Sequence, residues 1–304
     1  MKTSIYNLLA EYVGPDNILL NEGMSGHTSF RIGGPAAGFV MPNTVQELDD
    51  VIRLCRREGI QYFVMGNGTN LLVSDKGYNG IVIQLCKRMN AFFLEDTMIY
   101  AQAGVLLSAL AAKAARESLT GLEFASGIPG TIGGACVMNA GAYGGEMKDV
   151  IISVEVYIPG KGVMTIPAEE MKFGYRDSVI KHSDYIVTGA TLKLEKGEKS
   201  VIDARMEELK EARTSKQPLE YPSAGSTFKR PEGYFAGKLI QDAGLKGLSV
   251  GGAQVSEKHS GFIINKGGAT AADVVGLIEK VSDTVYEKYS VRLEPEVLFL
   301  GFDK

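Results

Sequence analysis

Apolar residues recur along the first two-thirds of the chain at spacings that predict short strands mixed with single helices. A helix is predicted over 44–58, where apolar residues share one helical face behind the capping box Thr44-x-x-Glu47. An alanine-rich helix is predicted over 105–118. Runs of β-branched and aromatic residues predict strands at 62–65, 80–85, 98–103, 150–158, 163–166 and 185–194. Because helices and strands do not alternate regularly, the pattern indicates an α+β fold and not a doubly wound parallel sheet.

The pattern changes near residue 196, where a charged linker precedes a charge-rich helix over 201–216. Farther on, Thr270-x-x-Asp273 begins a helix with apolar residues on one face, and the chain closes with a strand predicted over 291–300. We therefore predict an N-terminal helix within residues 1–18, a domain boundary near residue 198 and a weaker boundary near residue 87.

The composition is that of an ordinary globular protein, with 45% hydrophobic and 22% charged residues and a net charge of -4. No apolar run approaches the ~18 residues of a membrane span, and no cleavage site follows the N-terminus. We therefore expect a cytoplasmic protein that does not insert into a membrane, does not bind nucleic acid and shows no obligate protein partner. Cys55, Cys86 and Cys136 are far apart and the histidines are scattered, so neither a disulfide framework nor a metal site is expected.

Glycine is abundant and clustered, with 37 glycines in 304 residues against a typical ~7%. Glycine is needed where the backbone takes positive φ or lies against a ligand. The run GIPGTIGG (127–134) has a glycine at every third position and then a pair, without the lysine of a Walker A loop, and NAGAYGG (139–145) follows. Successive amides in such a run form anion-binding nests. We interpret this region as a nucleotide or phosphate site.

Two other glycine motifs are less specific. GNGTN (66–70) follows a predicted strand, but it lacks the third glycine and the following helix of a dinucleotide fingerprint, so a tight turn and a phosphate loop both stay open. GLSVG (247–251) matches the nucleophile elbow of serine hydrolases, but a helix-like segment precedes it and His259 is the only histidine after it. We interpret GLSVG as a glycine-rich turn.

Three residues are candidates for chemistry. Arg176 stands among aromatic residues in FGYRDS (173–178), Ser226 lies between prolines near two basic residues, and Glu296 has apolar neighbours on the predicted terminal strand. Each also has an ordinary interpretation: a surface Arg–Asp pair, a loop hydroxyl and an edge charge.

Taken together, seven segments resemble the UDP-N-acetylenolpyruvoylglucosamine reductase family, also called UDP-N-acetylmuramate dehydrogenases. They occur in the order of that family: HTSFRIGGPA (27–36), GNGTNLLVSD (66–75), GIPGTIGGACVMNAGAYGGE (127–146), FGYRDS (173–178), AGSTFKRP (224–231), AGKLIQDAGLKG (236–247) and RLEPEVLFLG (292–301). They extend over nearly the whole chain, whose length is similar to that of the compact subgroup without an additional substrate-closing loop.

The resemblance implies a two-part FAD-binding fold of the vanillyl-alcohol-oxidase type over 19–87 and 88–198, followed by a smaller α+β substrate domain over 199–304. It implies a cytoplasmic oxidoreductase with non-covalent FAD and with NADPH as co-substrate. Such an enzyme reduces the enolpyruvyl group of UDP-N-acetylglucosamine enolpyruvate to UDP-N-acetylmuramate for peptidoglycan synthesis, and hence for cell-wall biogenesis, cell shape and cell division. The alternatives are a non-catalytic flavin or nucleotide-sugar binding protein and a different flavin oxidase of the same fold.

The resemblance also assigns site residues. Arg176 and Glu296 would stabilise an enolate-like intermediate, for which Glu296 would have to donate a hydrogen bond or orient a group that does, and Ser226 would be the general acid. The residues implied for FAD are Arg31, Gly66, Asn67, Gly68, Thr69, Asn70, Gly127, Gly130, Thr131, Gly133, Gly134, Asn139, Gly141 and Arg213. The residues implied for substrate are Tyr175, Lys216, Lys229 and Arg230, although the family often has asparagine at the position of Arg230. Arg213 and Lys216 also fit simple charges on a solvated helix.

Overall fold

A computed structural model describes residues 3–302, which form two compact units. Unit 1 comprises residues up to 20, 38–67 and 80–213, and unit 2 comprises 21–37, 68–79 and 214 onward. Residues 1–2 of the predicted N-terminal helix and residues 303–304 of the predicted substrate domain lie outside the described residues. The boundaries that we drew at residues 18, 87 and 198 stay predictions.

The helices and strands are as follows. The α-helices are α1 (Thr3–Val13), α2 (Val45–Arg57), α3 (Leu107–Arg116), α4 (Ile132–Val137), α5 (Lys199–Lys216), α6 (Ala236–Asp242) and α7 (Ala271–Tyr289). The strands are β1 (Ile18–Gly23), β2 (Pro35–Val40), β3 (Tyr62–Met65), β4 (Leu71–Val73), β5 (Tyr78–Gln84), β6 (Phe92–Glu95), β7 (Met98–Gln102), β8 (Leu119–Thr120), β9 (Gly141–Ala142), β10 (Gly145–Glu146), β11 (Ile151–Ile158), β12 (Gly162–Pro167), β13 (Ile186–Lys193), β14 (Glu195–Lys196), β15 (Ser223–Ser226), β16 (Ser249–Val250), β17 (Ala253–Val255), β18 (Phe262–Asn265) and β19 (Leu298–Leu300). None of the described helices is both long enough and apolar enough to cross a membrane.

Unit 1 is built on a five-stranded antiparallel sheet with the strand order β12-β11-β13-β7-β6. The short helix α4 packs against β13. Strands β3 and β5 pair in parallel, with Tyr62 opposite Ile81. The helices and strands enclose one apolar core, which contains Leu48, Val51 and Cys55 of α2.

The helix predicted over 44–58 is confirmed as α2. Thr44 is its N-cap, because the Thr44 hydroxyl accepts a hydrogen bond from the Glu47 N–H at 3.1 Å. The expected reciprocal half of the box is absent, since the Glu47 carboxylate accepts from the Asn43 N–H at 2.7 Å instead. The cap is therefore made by one hydrogen bond and not two.

Unit 2 contains a four-stranded antiparallel sheet with the order β15-β18-β17-β16, against which α7 packs. The capping box that we predicted for α7 is present in both halves between Thr270 and Asp273. The terminal strand predicted over 291–300 is much shorter, because β19 begins only at Leu298 and pairs in parallel with β4. Pro295 has no N–H to donate to a ladder, and it makes only an isolated bridge with Phe228.

A long-range carboxylate completes the start of α7. The Asp75 carboxylate accepts hydrogen bonds from the N–H groups of Ala271 (2.8 Å) and Ala272 (3.0 Å), while the Thr270 hydroxyl accepts from the Asp273 N–H (3.0 Å). With the Thr270 N–H, which donates to the Asp273 carboxylate at 2.9 Å, all four N–H groups that a helix leaves unpaired at its start are thus satisfied. Segment 68–79 is thereby attached to α7, which contributes six buried residues to the core of unit 2.

Replacing Asp75 by alanine is expected to lower the free energy of unfolding by about 1–2 kcal/mol, because two helix N–H groups lose their acceptor. Urea unfolding followed by far-UV circular dichroism measures this change. The control is Asp184→Ala, which removes an exposed ion pair with Arg56 (3.3 Å) and should cost less than about 0.5 kcal/mol. Equal losses in the two variants would contradict the capping role.

Candidate active site

The loop between β3 and β4 has unpaired backbone amides. The N–H groups of Gly66, Asn67, Gly68, Thr69 and Asn70 have no hydrogen-bond partner among residues 3–302, although Gly68 is buried and three of the others are half-buried. Partly buried amides without partners are costly unless a ligand or water accepts from them. This geometry favours the phosphate loop over the plain tight turn.

The second glycine run has free amides only in its first half. Within the described part of the chain, the N–H groups of Gly127, Gly130 and Thr131 have no hydrogen-bond partner. In contrast, the Gly133 N–H donates to the Ala103 carbonyl (2.8 Å) and the Gly134 N–H to the Thr131 hydroxyl (3.4 Å). The amides available to an anion therefore lie at 127–131, a shorter segment than the 127–134 that we predicted.

In unit 1 the beginnings of these two loops touch. The Asn67 side-chain amide donates to the Pro129 carbonyl at 2.9 Å. A Cβ atom at Gly66 would overlap the hydroxyl of Thr131, a buried residue that is also the N-cap of α4. Only glycine leaves room for this approach, so Gly66 is needed here for close packing.

Arg213, at the end of the unit 1 part of α5, supplies a cation beside the second loop. Its Cδ atom would lie 2.8 Å from a Cβ at Gly127, so the arginine stem lies directly against this glycine. Burial lowers the pKa of Arg213, and no carboxylate among the described residues pairs with it. A half-buried cation without a counter-ion, next to unpaired amides, is suited to a phosphate group.

The turn that carries Arg176 is tight and strained. Gly174 and Asp177 bridge its ends, and Arg176 has a φ of 54°. The Arg176 guanidinium donates to the Gly141 carbonyl at 3.2 Å. The Asp177 carboxylate contacts His182 at 2.7 Å. The arginine is therefore held by the loop after α4, and its neighbouring carboxylate has another partner.

Unit 2 brings Ser226 and Glu296 onto neighbouring segments. The Glu296 N–H donates to the carbonyl of Thr227, the residue after Ser226, at 2.8 Å. The Thr227 side chain is fully buried and its hydroxyl accepts from the Ile263 N–H at 3.0 Å, which fixes the end of β15. Asn70 binds the other side of Glu296 by donating to its carbonyl at 3.1 Å. Ser226 is exposed and Glu296 half-buried, so both are accessible.

The predicted substrate residues have identifiable neighbours. The Lys229 ammonium pairs with Glu294 at 2.9 Å, and this contact lowers the pKa of Glu294. The Arg230 guanidinium lies 4.0 Å from the centre of the Phe235 ring. Tyr175 is 53% exposed beside Arg176. The aromatic Phe235 is a candidate contact that the sequence analysis did not single out.

Comparison with known proteins gives matches over the whole chain. A family profile of FAD binding domains matches residues 36–165, and one of the UDP-N-acetylenolpyruvoylglucosamine reductase C-terminal domain matches residues 217–300. The UDP-N-acetylenolpyruvoylglucosamine reductase of Caldanaerobacter subterraneus is 52% identical over 99% of each chain. That of Clostridium tetani is 52% identical over 100% of this chain and 98% of its own. The chain belongs to the UDP-N-acetylenolpyruvoylglucosamine reductase family.

A solved structure of this reductase family, from Thermus caldophilus, has 39% sequence identity and a TM-score of 0.80 over 93% of this chain and 98% of its own. The expected α+β architecture, an FAD-binding fold with a further domain, is thereby confirmed, and so is an FAD-dependent oxidoreductase.

The residues of this reductase fit FAD. The diphosphate of FAD is an anion, and unit 1 offers groups of the kind that bind one: the free amides of Gly66, Asn67 and 127–131 and the unpaired Arg213 guanidinium. A Cβ atom at Gly66 would collide with Thr131, and one at Gly127 would collide with Arg213. Glycine at these two positions therefore lets the anion-binding groups lie close together.

Replacing Gly66 by alanine is expected to weaken FAD binding by the reductase at least about tenfold, because the new methyl group must displace Thr131 from a fixed position. Flavin absorbance per polypeptide after desalting, followed by titration with FAD, measures the loss. Gly26→Ala is the control, since nothing lies within 4 Å of a Cβ there. If both variants retained wild-type FAD content, Gly66 would not be needed for the cofactor loop.

Proposed function

We propose that this chain reduces the enolpyruvyl group of UDP-N-acetylglucosamine enolpyruvate to give UDP-N-acetylmuramate, with NADPH as hydride donor, through Arg176, Ser226 and Glu296. Its relatives at about half identity over their full length carry the name of that reductase. The observation that supports the site best is the hydrogen bond between Glu296 and Thr227, because within unit 2 it joins one candidate residue to the residue that follows another, Ser226.

FAD is held, in this proposal, by the free amides of 66–70 and 127–131 and by Arg213. The chemistry that it supplies when bound is hydride transfer from NADPH to the terminal vinyl carbon of the enolpyruvyl group. Arg31, whose φ is 54°, is a further proposed FAD contact. Gly133, Gly134 and Gly141 stay proposed contacts through their positions next to these loops, whereas the side-chain amide of Asn139 donates to protein groups.

Arg176 binds the substrate carboxylate. Hydride addition builds negative charge on the neighbouring carbon and this carboxylate, and a planar guanidinium contacts both carboxylate oxygens at once. The carbonyl of Gly141 uses one N–H of the Arg176 side chain and so fixes the direction of the others. A preorganised donor of this kind stabilises a transition state by about 3–4 kcal/mol.

Glu296 is proposed to support the same charge. A bare carboxylate would oppose negative charge, so Glu296 acts either by donating a hydrogen bond from its protonated form or by orienting another donor. Its backbone is fixed on both sides, by Asn70 at its carbonyl (3.1 Å) and by Thr227 at its N–H (2.8 Å). The side chain therefore extends from a rigid position.

Ser226 gives its hydroxyl proton to the α-carbon of the substrate. It lies at the exposed end of β15, next to a Gly225 with a φ of 78°. Of the two basic residues that follow, Lys229 already pairs with Glu294 and Arg230 lies on Phe235. We propose Lys229 and Arg230, together with Tyr175 and Lys216, as substrate contacts.

The reaction is placed in the cytoplasm in this proposal. Cys55, Cys86 and Cys136 are all free thiols, as in proteins of a reducing compartment.

An anaerobic visible spectrum tests the function. The purified protein is expected to be yellow, to bleach with NADPH and to regain its colour only when the UDP-enolpyruvyl sugar is added. Bleaching without recovery by the sugar would contradict the substrate assignment, and recovery by oxygen alone would favour a flavin oxidase. A protein that neither contains nor takes up FAD would contradict the assignment of the glycine loops.

A further inference from the structure

The side chain of Asn139 connects the loop after α4 to the turn that carries Arg176. We propose that Asn139 is a positioning residue that fixes this turn, and through it the direction of the Arg176 guanidinium. The inference rests on the proposed role of Arg176 in binding the substrate carboxylate. It gives Asn139 a function toward substrate that the sequence resemblance, which places it at FAD, does not include.

Asn139 is 1% exposed and its amide group is almost fully used. Its Nδ2 donates to Oε2 of Glu146 at 2.9 Å and to the carbonyl oxygen of Gly174 at 3.0 Å. Its Oδ1 accepts from the backbone N–H of Lys148 at 3.0 Å. Both amide hydrogens are therefore committed to protein groups, and the three partners define the orientation of the side chain.

The contact to Gly174 acts on the turn of Arg176 directly. The Gly174 N–H donates to the Asp177 carbonyl at 3.0 Å, which closes the turn around Arg176. Arg176 is left-handed (φ 54°), a conformation that costs a non-glycine residue roughly 1 kcal/mol and persists only where the surroundings impose it. The hydrogen bond from Asn139 is one such restraint.

The guanidinium of Arg176 is held from the same place. It donates to the carbonyl of Gly141, two residues after Asn139. Asn139 itself has a φ of 44°, which asparagine tolerates better than most residues. The short segment 139–141 thus restrains both the backbone and the charged end of the arginine.

Glu146 fixes Asn139 in turn. The ion pair with Lys148 at 2.8 Å, and then the hydrogen bond from Asn139 and the charge of Arg176, lower the pKa of Glu146. Glu146 is therefore a carboxylate at neutral pH, and it accepts one hydrogen of Asn139 so that the other faces Gly174. Glu146 is the last residue of the family segment 127–146, and the resemblance assigns it no role.

Removing the Asn139 side chain should affect one half-reaction. A displacement of about 1 Å in an orienting group can reduce a rate by about 10²-fold. In Asn139→Gly, which keeps the left-handed backbone, we expect recolouring by the sugar to slow by about 10- to 100-fold. FAD content and the rate of bleaching by NADPH should stay within about twofold of wild type, since Asn139 donates to protein groups only.

Two further readouts separate positioning from general damage. Hydrogen exchange of the amides in 173–178 should become faster in Asn139→Gly, but not in the matched control Asn90→Gly, which loses an exposed contact to the Cys86 carbonyl (3.3 Å). The effect on recolouring should vanish when Arg176 is already alanine, because Asn139 then has nothing to position. Asn139→Asp keeps the acceptor for Lys148 and loses both donors, so it should reproduce the loss if the glycine variant does not fold.

The outcomes are distinct. Loss of FAD from the Asn139 variants, or a further slowing when the change is added to Arg176→Ala, would overturn the positioning role, and so would unchanged exchange in 173–178. A wild-type protein that bleaches but is not recoloured by the sugar would overturn the proposed function instead. The exchange measurement would then still decide whether Asn139 holds the turn.

Discussion

Replacing Ser226 by alanine is expected to slow the sugar-dependent recolouring of the reduced protein by about 10²- to 10⁴-fold, the usual contribution of a general acid. Ser226 is exposed at the end of β15, and the segment after it is fixed by the buried Thr227. The variant should therefore fold normally and keep its FAD. Bleaching by NADPH should be unchanged, because in the proposed mechanism the hydroxyl gives its proton only to the reacting carbon of the sugar.

Anaerobic stopped-flow absorbance, with NADPH and then the sugar added in separate experiments, measures the two half-reactions of this variant. The matched control is Ser249→Ala, which removes another exposed strand hydroxyl of unit 2, the one in the GLSVG turn. It should behave as wild type. If Ser226→Ala recoloured within about threefold of wild type, the proton would have to come from another group.

Features encoded by neighbouring residues were predictable from the sequence. The helix over 44–58 and the capping box of α7 depend on contacts three or four residues apart, and α2 and α7 follow those patterns. The terminal strand was predicted too long because alternating apolar residues do not reveal that a partner strand is missing. Of 291–300, only Leu298–Leu300 pairs with another strand.

The candidate site depends on contacts between distant parts of the sequence, which no local pattern contains. The unpaired amides of GNGTN distinguish a phosphate loop from a tight turn, and this is a property of what the rest of the chain leaves unbonded. Arg213 lies against Gly127, and Glu296 binds the residue after Ser226. Without the family resemblance, the sequence identified Gly127, Ser226 and Glu296 as candidates but did not bring them together, and Arg213 was named only through that resemblance.

The hydrogen bonds of Asn139 illustrate the same limit. From glycine-rich sequence alone, NAGAYGG was interpreted as part of an anion site, in which side chains matter less than backbone amides. The structure shows that its asparagine side chain is occupied with Glu146 and Gly174. Only the fold brings residues 139 and 174 within hydrogen-bonding distance.

Replacing Arg176 by lysine is expected to slow recolouring by the sugar by about 10²- to 10³-fold, although the positive charge is kept. The guanidinium uses one N–H for the Gly141 carbonyl and presents others in a fixed plane. A lysine ammonium has no plane and its stem is shorter, so it cannot hold Gly141 and bind both oxygens of a carboxylate. Backbone strain does not explain the loss, because the left-handed conformation of position 176 costs arginine and lysine about the same.

The changes in kcat and in KM for the sugar, both measured in Arg176→Lys, together identify the role of Arg176. A lower kcat with little change in KM for the sugar would mean that its contacts strengthen in the transition state, whereas a higher KM alone would mean uniform binding of the carboxylate. The matched control is Arg56→Lys, which alters an exposed arginine of unit 1 paired with Asp184. Full activity of Arg176→Lys would contradict the two-oxygen contact, since a point charge would then suffice. A loss in Arg176→Lys combined with normal bleaching by NADPH would assign the arginine to the sugar half-reaction, the same step that the Asn139 restraint is proposed to serve.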